Sequence, residues 1–420
     1  MFKYTAVPRW LSQAAGSSMG EQLVLGIESS CDDTGVAVVR SDGTILGEAL
    51  ATQADIHAPW GGVVPKLAQQ AHAAVMDSTV AEALQQAGVS MSDLDAIAVT
   101  IGPGLSLCLR VGVEKAHSLA AHHQLRLVPV HHMEAHALVA RMGSPVPFPF
   151  LCLLVSGGHN QLLLVHGVGR YTLMGATLDD AIGEAYDKVA RLLGYDMTPS
   201  FGAALERAAR GGDAQRFQFS VPMRSRPDCN FSYAGLKTAV RLAIEAEVAG
   251  EPSDANAQVR ADIAASFQCV AVQHLEERCR RGTRWALESH RGLAHLVVAG
   301  GVAANQAVRA GLQRVAAEHG LELVCPPPRL CTDNGVMVAW AGLERLRLGL
   351  WEGPPTLASV ADTERYVDLR PRWPLTDRVD SRSMPEQRSM RKKRLHQSLT
   401  ELTEAAAALQ GSDKLAVASS

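Results

Sequence analysis

One local pattern is written twice in this chain. An apolar run over residues 23–28 meets a turn rich in hydroxyls and acids, Ser29-Ser30-Cys31-Asp32-Asp33-Thr34-Gly35, and a second apolar run follows over 36–40. Further along, residues 151–155 run into Ser156-Gly157-Gly158-His159, and 161–166 return. Each reads as two strands around a small-residue turn. Repetition of that unit predicts two related α/β lobes, each offering a turn to a shared cleft.

The segments between fit the same plan. Helical patterns over 66–87 and 106–123 bracket a strand at 95–100, and a strand at 296–299 feeds a helix to about 319. A length of 420 residues exceeds one simple core. The Pro-rich crossing Ser144-Pro-Val-Pro-Phe-Pro-Phe150 marks the boundary. The expected organisation is a first lobe of residues 21–148 with 330–375, a second of 149–329, and a basic, partly disordered tail over 376–420, with a short amphipathic helix over 395–409. Residues 1–20 hold Lys3 and Arg9 and no acid, as a mitochondrial transit segment does.

The stretch His131-His132-Met133-Glu134-Ala135-His136 opens a helical pattern. Four residues apart on a helix, His132 and His136 leave one face, an arrangement suited to a first-row metal. Two ligands do not make a site. Asp333, at a helix start behind the stiff Cys325-Pro-Pro-Pro328 run, is the expected third. The spelling disfavours a metalloprotease of the H-E-x-x-H type. Glu134 lies two residues after His132, which rotates it roughly 200° from that imidazole.

Other stretches suit a phosphorylated or hydroxylated ligand. Gly102-Pro-Gly104 and Gly300-Gly301 permit close backbone approach ahead of helices, and Asn305 is placed to hydrogen-bond a ribose or phosphate. Asp180, Glu184 and Asp187 fall on one face of a helix predicted over 178–193. Asp32 and Asp33 repel phosphate, so they are expected to act through a metal or water, or to polarise an amine.

Composition removes several classes. The formal charge of −3 leaves nucleic-acid binding to a local patch, such as the arginines and lysines from Arg370 through Arg394. Eight cysteines without a C-x-x-C pair indicate no zinc ribbon or disulfide framework. No apolar run approaches the ~20 residues of a membrane span.

Together these stretches resemble the tRNA threonylcarbamoyladenosine transferase family. The resemblance rests on Gly26-I-E-S-S-C-D-D-T-Gly35, H-A-P-W-G-G-V-V-Pro65, I-G-P-G-Leu105, H-H-M-E-A-His136, L-V-S-G-G-His159, L-D-D-A-I-G-E-A-Y-D-Lys188, F-S-Y-A-G-L-K-Thr238, A-G-G-V-A-A-Asn305 and C-T-D-N-Gly335, in family order. It implies an actin-like ATPase fold of two lobes. It implies one divalent metal, iron or zinc, on His132, His136 and Asp333. Donor contacts are implied at Leu154, Val155, Ser156, Gly157, Gly158, Asp187, Gly202 and Asn305. The implied reaction moves threonylcarbamoyl from threonylcarbamoyl-AMP to N6 of adenosine 37 in tRNAs reading A-starting codons, with Asp32 or Asp33 taking the amine proton. A donor-synthesising enzyme upstream, a monomer or homodimer, and the mitochondrial matrix complete the expectation.

Two features depart from the family's usual spelling. Phe201 stands where a glycine is common, beside Gly202, and Lys66 where bacterial members carry an acid. Lys66 with Gln69-Gln70 resembles the mitochondrial branch. A small-molecule kinase would share the fold but has no use for the His-His-Asp set, and a non-catalytic RNA-binding subunit would bind tRNA without forming product.

Overall fold

The computed structural model describes residues 21–196, 200–248, 250, 252–358, 368–383 and 396–417, with side chains through 408. The expected transit segment, residues 1–20, lies outside them.

Two five-stranded sheets carry the chain. The first contains β1 (Leu23–Glu28), β2 (Asp33–Arg40), β3 (Ile45–Thr52), β4 (Ala96–Gly102) and β5 (Arg126–His131), in the order β3-β2-β1-β4-β5. The second contains β6 (Phe150–Val155), β7 (Asn160–Gly167), β8 (Arg170–Ala176), β9 (His295–Ala299) and β10 (Glu322–Val324), in the order β10-β9-β6-β7-β8. In each, the first three strands are antiparallel and the last two run parallel to the first. The same order and sense in both sheets is the structural form of the repeated sequence pattern.

Helices are α1 (Ala54–His57), α2 (Pro65–Ala87), α3 (Ser106–His123), α4 (His132–Leu138), α5 (Ile182–Leu192), α6 (Phe201–Ala209), α7 (Ala234–Glu247), α8 (Ala257–Ser289), α9 (Gln306–Glu318), α10 (Gly335–Leu346) and α11 (Leu399–Val417). Pro65 opens α2 at a position where the missing N–H costs nothing, and Gly88 closes it in the left-handed region (φ 65°). α2 and α3 cover one face of the first sheet and α10 the other. Burial on both faces is why β4, Ala-Ile-Ala-Val-Thr-Ile-Gly, is a continuous small and apolar run rather than an alternating one.

α4 and α10 are equivalent in the repeat, since each follows the last strand of its own sheet. Each also packs beyond that sheet. α10 lies across β1, β2, β4 and β5, while α4 touches β6 and β9 as well as β5 and α10. Every residue of both helices is buried, so together they form the core between the lobes. Close approach of α10 depends on missing side chains. A Cβ on Gly26 would sit 2.3 Å from the Ala339 nitrogen, and one on Gly335 2.4 Å from the Val36 carbonyl carbon. Both helices therefore begin in the cleft at the strand ends.

The expected tail is in part built into the fold. Val379 bridges in parallel to Leu173 on β8, covering a sheet edge that would otherwise expose unpaired backbone groups. α11 packs on β8, and Thr400 Oγ1 accepts a hydrogen bond from the Tyr171 N–H at 3.3 Å. The apolar residues Leu399 and Leu402 bury α11, which is why this stretch is ordered despite its charged flanks. Several of the expected RNA-contacting arginines face acids instead: Arg370 pairs with Asp368, Arg378 with Glu404, and Arg382 with Asp380 and Glu288. Arg388 and the cluster from Arg391 to Arg394 lie outside the described residues.

Candidate active site

The start of α4 and the loop before α10 bring His132, His136 and Asp333 together, with one ligand atom from each all within 4.8 Å of one another. Asp333 Oδ1 lies 3.1 Å from His136 Nε2 and 3.6 Å from His132 Nε2. The rings of the two histidines are perpendicular, 4.7 Å apart at their centroids. Two imidazoles and a carboxylate, with both Nε2 atoms converging on one oxygen, are a donor set that fits a divalent first-row metal such as iron or zinc.

Glu28, not singled out from the sequence, orients that set. Its Oε2 is 3.3 Å from His132 Nδ1 and accepts a hydrogen bond from Thr100 Oγ1 at 2.6 Å; its Oε1 accepts one from the Ser30 N–H at 2.6 Å. A carboxylate only accepts, so His132 keeps a proton on Nδ1, and Nε2 is the nitrogen that offers its lone pair once a metal displaces the proton there. The available signal was a single charged residue closing an apolar strand, which is costly when buried unless paired.

Electrostatics follow from burial and proximity. Burial lowers the pKa of His132, but the Asp333 and Glu28 carboxylates outweigh it and raise the group to about 9. Burial pushes Asp333 up, yet the neighbouring His132 and His136 hold it well below the usual carboxylate range. Asp33 goes the other way. Burial first, then the charges of Asp32 and Asp333, raise it to about 7. Asp33 begins β2 beside Thr52 on β3, and Asp32 is in the turn before it, so both flank the metal set on the first-lobe side.

On the second lobe, β6 ends at the buried Leu154 and Val155, and Ser156 turns the chain, its Oγ accepting from the His159 N–H at 3.1 Å. Gly157 and Gly158 are exposed, and a Cβ on either would meet nothing within 4 Å. The neighbouring Gly300 has φ 92°, and a Cβ there would strike the Val155 carbonyl oxygen at 2.5 Å. Asp187 on α5 and Gly202 on α6 are also together. The Gly202 N–H donates to the Asp187 carboxylate, whose pKa burial nonetheless raises. Phe201 stacks under Arg191 at 4.8 Å without displacing that contact.

Asn305 caps α9: its Oδ1 accepts from the Val308 N–H at 3.1 Å and its Nδ2 donates to Gln268 Oε1 at 3.1 Å, which leaves the second N–H of the amide for a ligand. One expectation is corrected. The predicted helix over 178–193 starts only at Ile182. Asp179 instead accepts from the Tyr233 N–H at 2.8 Å, and Thr177 Oγ1 bonds the Asp180 carbonyl at 2.6 Å. Asp180 thus precedes the helix, and Lys188 bridges it to Glu184 at 3.2 and 2.7 Å.

Glu134 points away from the ligand set. Its Oε1 accepts from the Gly169 N–H at 2.7 Å and the Tyr171 hydroxyl at 2.8 Å, while its Oε2 pairs with Arg345 at 2.9 Å. It is fully buried in this pairing and has no access to a metal-bound water.

Two lobes of identical sheet order, with a His-His-Asp set between them that could hold a metal ion, define a protein of the actin-like ATPase fold with a candidate metal site. A family model described as TsaD: tRNA N6-adenosine threonylcarbamoyltransferase matches residues 44–340. A relative from Arabidopsis thaliana, named as a probable mitochondrial tRNA N6-adenosine threonylcarbamoyltransferase, is 54% identical over 391 residues, covering 91% of this chain and 81% of its own. A tRNA N6-adenosine threonylcarbamoyltransferase from Paramagnetospirillum magneticum is 49% identical over 353 residues, covering 84% and 97%. Among solved structures, T. kodakarensis HypF matches at 16% identity with a TM-score of 0.49, covering 78% of this chain and 48% of that one. The chain belongs to the tRNA N6-adenosine threonylcarbamoyltransferase family.

Proposed function

We propose that this protein transfers a threonylcarbamoyl group from threonylcarbamoyl-AMP to N6 of adenosine 37 in mitochondrial tRNAs that read codons beginning with A. The observation that carries the reading is the His132–His136–Asp333 set between an acidic turn on one lobe and a glycine turn on the other, in a chain 54% identical to a relative of that name. That relative is named as mitochondrial, which supports a mitochondrial location here, with the matrix as the compartment where such tRNAs reside.

The chemistry needs positioning more than covalent catalysis. Adenine N6 is a weak nucleophile because its lone pair is delocalised into the ring, so the acyl donor arrives pre-activated as a mixed anhydride. The N6 lone pair attacks the carbamoyl carbon, the bond from that carbon to the phosphate oxygen breaks, AMP leaves, and one N6 proton must be removed. In this reading Asp33, raised to about 7, accepts it, since a base titrating near working pH is the most effective. Asp32 supplies the adjacent negative charge that keeps Asp33 basic. Exposed Gly157 and Gly158, with Leu154, Val155 and Ser156 behind them, let the donor's nucleotide lie against backbone, and Asp187 with Gly202 faces its hydroxyls. A divalent metal on His132, His136 and Asp333, iron or zinc by donor type, supplies positive charge that orients and polarises the donor when bound.

The test is a transfer assay read by nucleoside mass spectrometry, with purified protein, threonylcarbamoyl-AMP and unmodified mitochondrial tRNA, beside the His132→Ala/His136→Ala variant. Modified adenosine from the parent protein alone supports the reading. No product from either, with tRNA still bound, points to a second subunit or a binding-only role and counts against self-sufficiency. The donor's upstream synthase is left out of the assay, and mass measurement in solution distinguishes monomer from homodimer.

A further inference from the structure

Among the described residues, four tryptophans carry an arginine over the ring: Trp285 has Arg382, Trp340 has Arg347, Trp351 has Arg126, and Trp373 has Arg370. Trp60 is the described tryptophan with no such partner and no ring contact, and it is 66% exposed. Leaving a tryptophan face bare in water forgoes the gain from apolar burial. Ile56, four residues earlier on the same short loop, is 43% exposed.

The loop that carries Trp60 is braced rather than loose. Gln53 Oε1 lies 3.1 Å from His57 Nε2, Gln53 Nε2 donates to the Ala68 carbonyl at 3.3 Å, and the Val64 N–H donates to His57 Nδ1 at 3.4 Å. Gly61, at φ 64°, and Gly62 follow the tryptophan, and a Cβ on either would meet nothing within 4 Å. A flat ring can therefore approach the indole without obstruction.

Both roots of the loop are tied to the acidic turn of the cleft. Thr52, before it, is paired with Asp33 across the β2–β3 ladder. After it, His72 on α2 bonds Thr34 Oγ1 at 2.7 Å and the Cys31 carbonyl at 3.1 Å. The seven residues from Ala54 to Trp60 are helical, a path of roughly 12 Å at about 1.5–2.0 Å per residue. Trp60 is thus held on a short, helical path from the strand residue that pairs with Asp33. Lys66, in the first turn of α2, is exposed, and its Nζ donates to the neutral Gln69 Oε1 at 2.9 Å; among the described residues it has no carboxylate partner. A bare indole and an uncompensated ammonium on one rigid loop are what an unpaired nucleotide recognises, through its base face and its phosphate.

We propose that Trp60 is a stacking platform for an unpaired tRNA base next to the acceptor adenosine, with Lys66 holding an adjacent phosphate. This rests on the assignment of tRNA as substrate. The experiment is binding of full-length protein to an anticodon stem-loop RNA in which 2-aminopurine replaces each loop nucleotide in turn, combined with KM and kcat for tRNA and for donor. Parent, Trp60→Ala, Trp60→Phe, Trp60→Leu and Lys66→Ala are compared. The expected result is a fluorescence quench at one loop position that Trp60→Ala abolishes. RNA affinity should fall about 10- to 100-fold, Phe should rescue and Leu should not, and the donor KM should stay unchanged. Lys66→Ala should reduce the salt slope of binding by about one. Unchanged RNA affinity in Trp60→Ala, or equal rescue by Leu, overturns the proposal, as does a dimer that Trp60→Ala converts to monomer. Failure of the parent to modify tRNA would count against the substrate assignment instead, a result separate from these.

Discussion

Glu28 and His132 are 104 residues apart in sequence, yet Glu28 Oε2 lies 3.3 Å from His132 Nδ1. The carboxylate at the end of a central strand fixes which nitrogen of the histidine is free. Partners of this kind typically govern metal affinity by 10- to 100-fold. Glu28→Gln is expected to weaken metal binding by about that factor and to lower transfer activity at limiting metal, with recovery at excess metal. Titration against a metal buffer checks both.

Protons compete for the same site. Because Asp333 and Glu28 raise His132 to about 9, a cation binding at neutral pH must displace its proton. Affinity for zinc is therefore expected to rise by about tenfold per pH unit from pH 6.5 toward 9 and then level off. In Glu28→Gln, His132 loses one of the charges that raise it, so the levelling should come at lower pH. Metal competition at three pH values measures this.

The buried pair Glu134–Arg345 carries structure. Glu134→Ala leaves the Arg345 guanidinium uncompensated in the core between the lobes, and removing one partner of such a pair costs about 3–5 kcal/mol. Thermal or denaturant unfolding should report a loss of that size. Glu134→Gln/Arg345→Met together should cost less, since both buried charges are removed while the amide oxygen still accepts from the Gly169 N–H and the Tyr171 hydroxyl. A near-additive double variant would contradict this account.

Helix α10 reaches the first sheet only because Gly26 has no side chain. Gly26→Ala would place a methyl 2.3 Å from the Ala339 nitrogen, against backbone that cannot rotate aside. The helix must shift, carrying Asp333 with it. The expected outcome is destabilisation by at least about 1–3 kcal/mol and reduced metal content, read by denaturant unfolding and metal analysis.

Acid sensitivity is expected from the second lobe. Burial, then the Arg278 charge, lowers His274 to about 3, so it stays neutral when folded while the unfolded chain takes up a proton below about 6.5. Its stabilising contribution is present above that value and declines as pH falls toward 3. The slope is about 1.4 kcal/mol per pH unit for one proton. His274→Gln, which keeps an acceptor for the Ser232 N–H, should flatten the stability–pH profile by that amount.

The sequence by itself determined the local pieces. The doubled strand–turn–strand pattern is a property of periodicity within a few residues, and so is the four-residue spacing that puts His132 and His136 on one helical face. The sense of Glu134 follows from helix geometry alone. Tertiary structure decided what crosses the chain. Glu28 reads as a strand residue until β1 is set beside the start of α4. Asp333 meets the histidines because α10 leaves its own sheet to pack on the other. A helix near the tail's end was legible in its apolar spacing, but its docking was not: the exposed edge of β8 and an apolar stripe on α11 hold the tail down. Local pattern is set by bonds along the chain, whereas burial, pairing of charge and edge coverage depend on which surfaces the fold brings into contact, and those partners lie a hundred or more residues away.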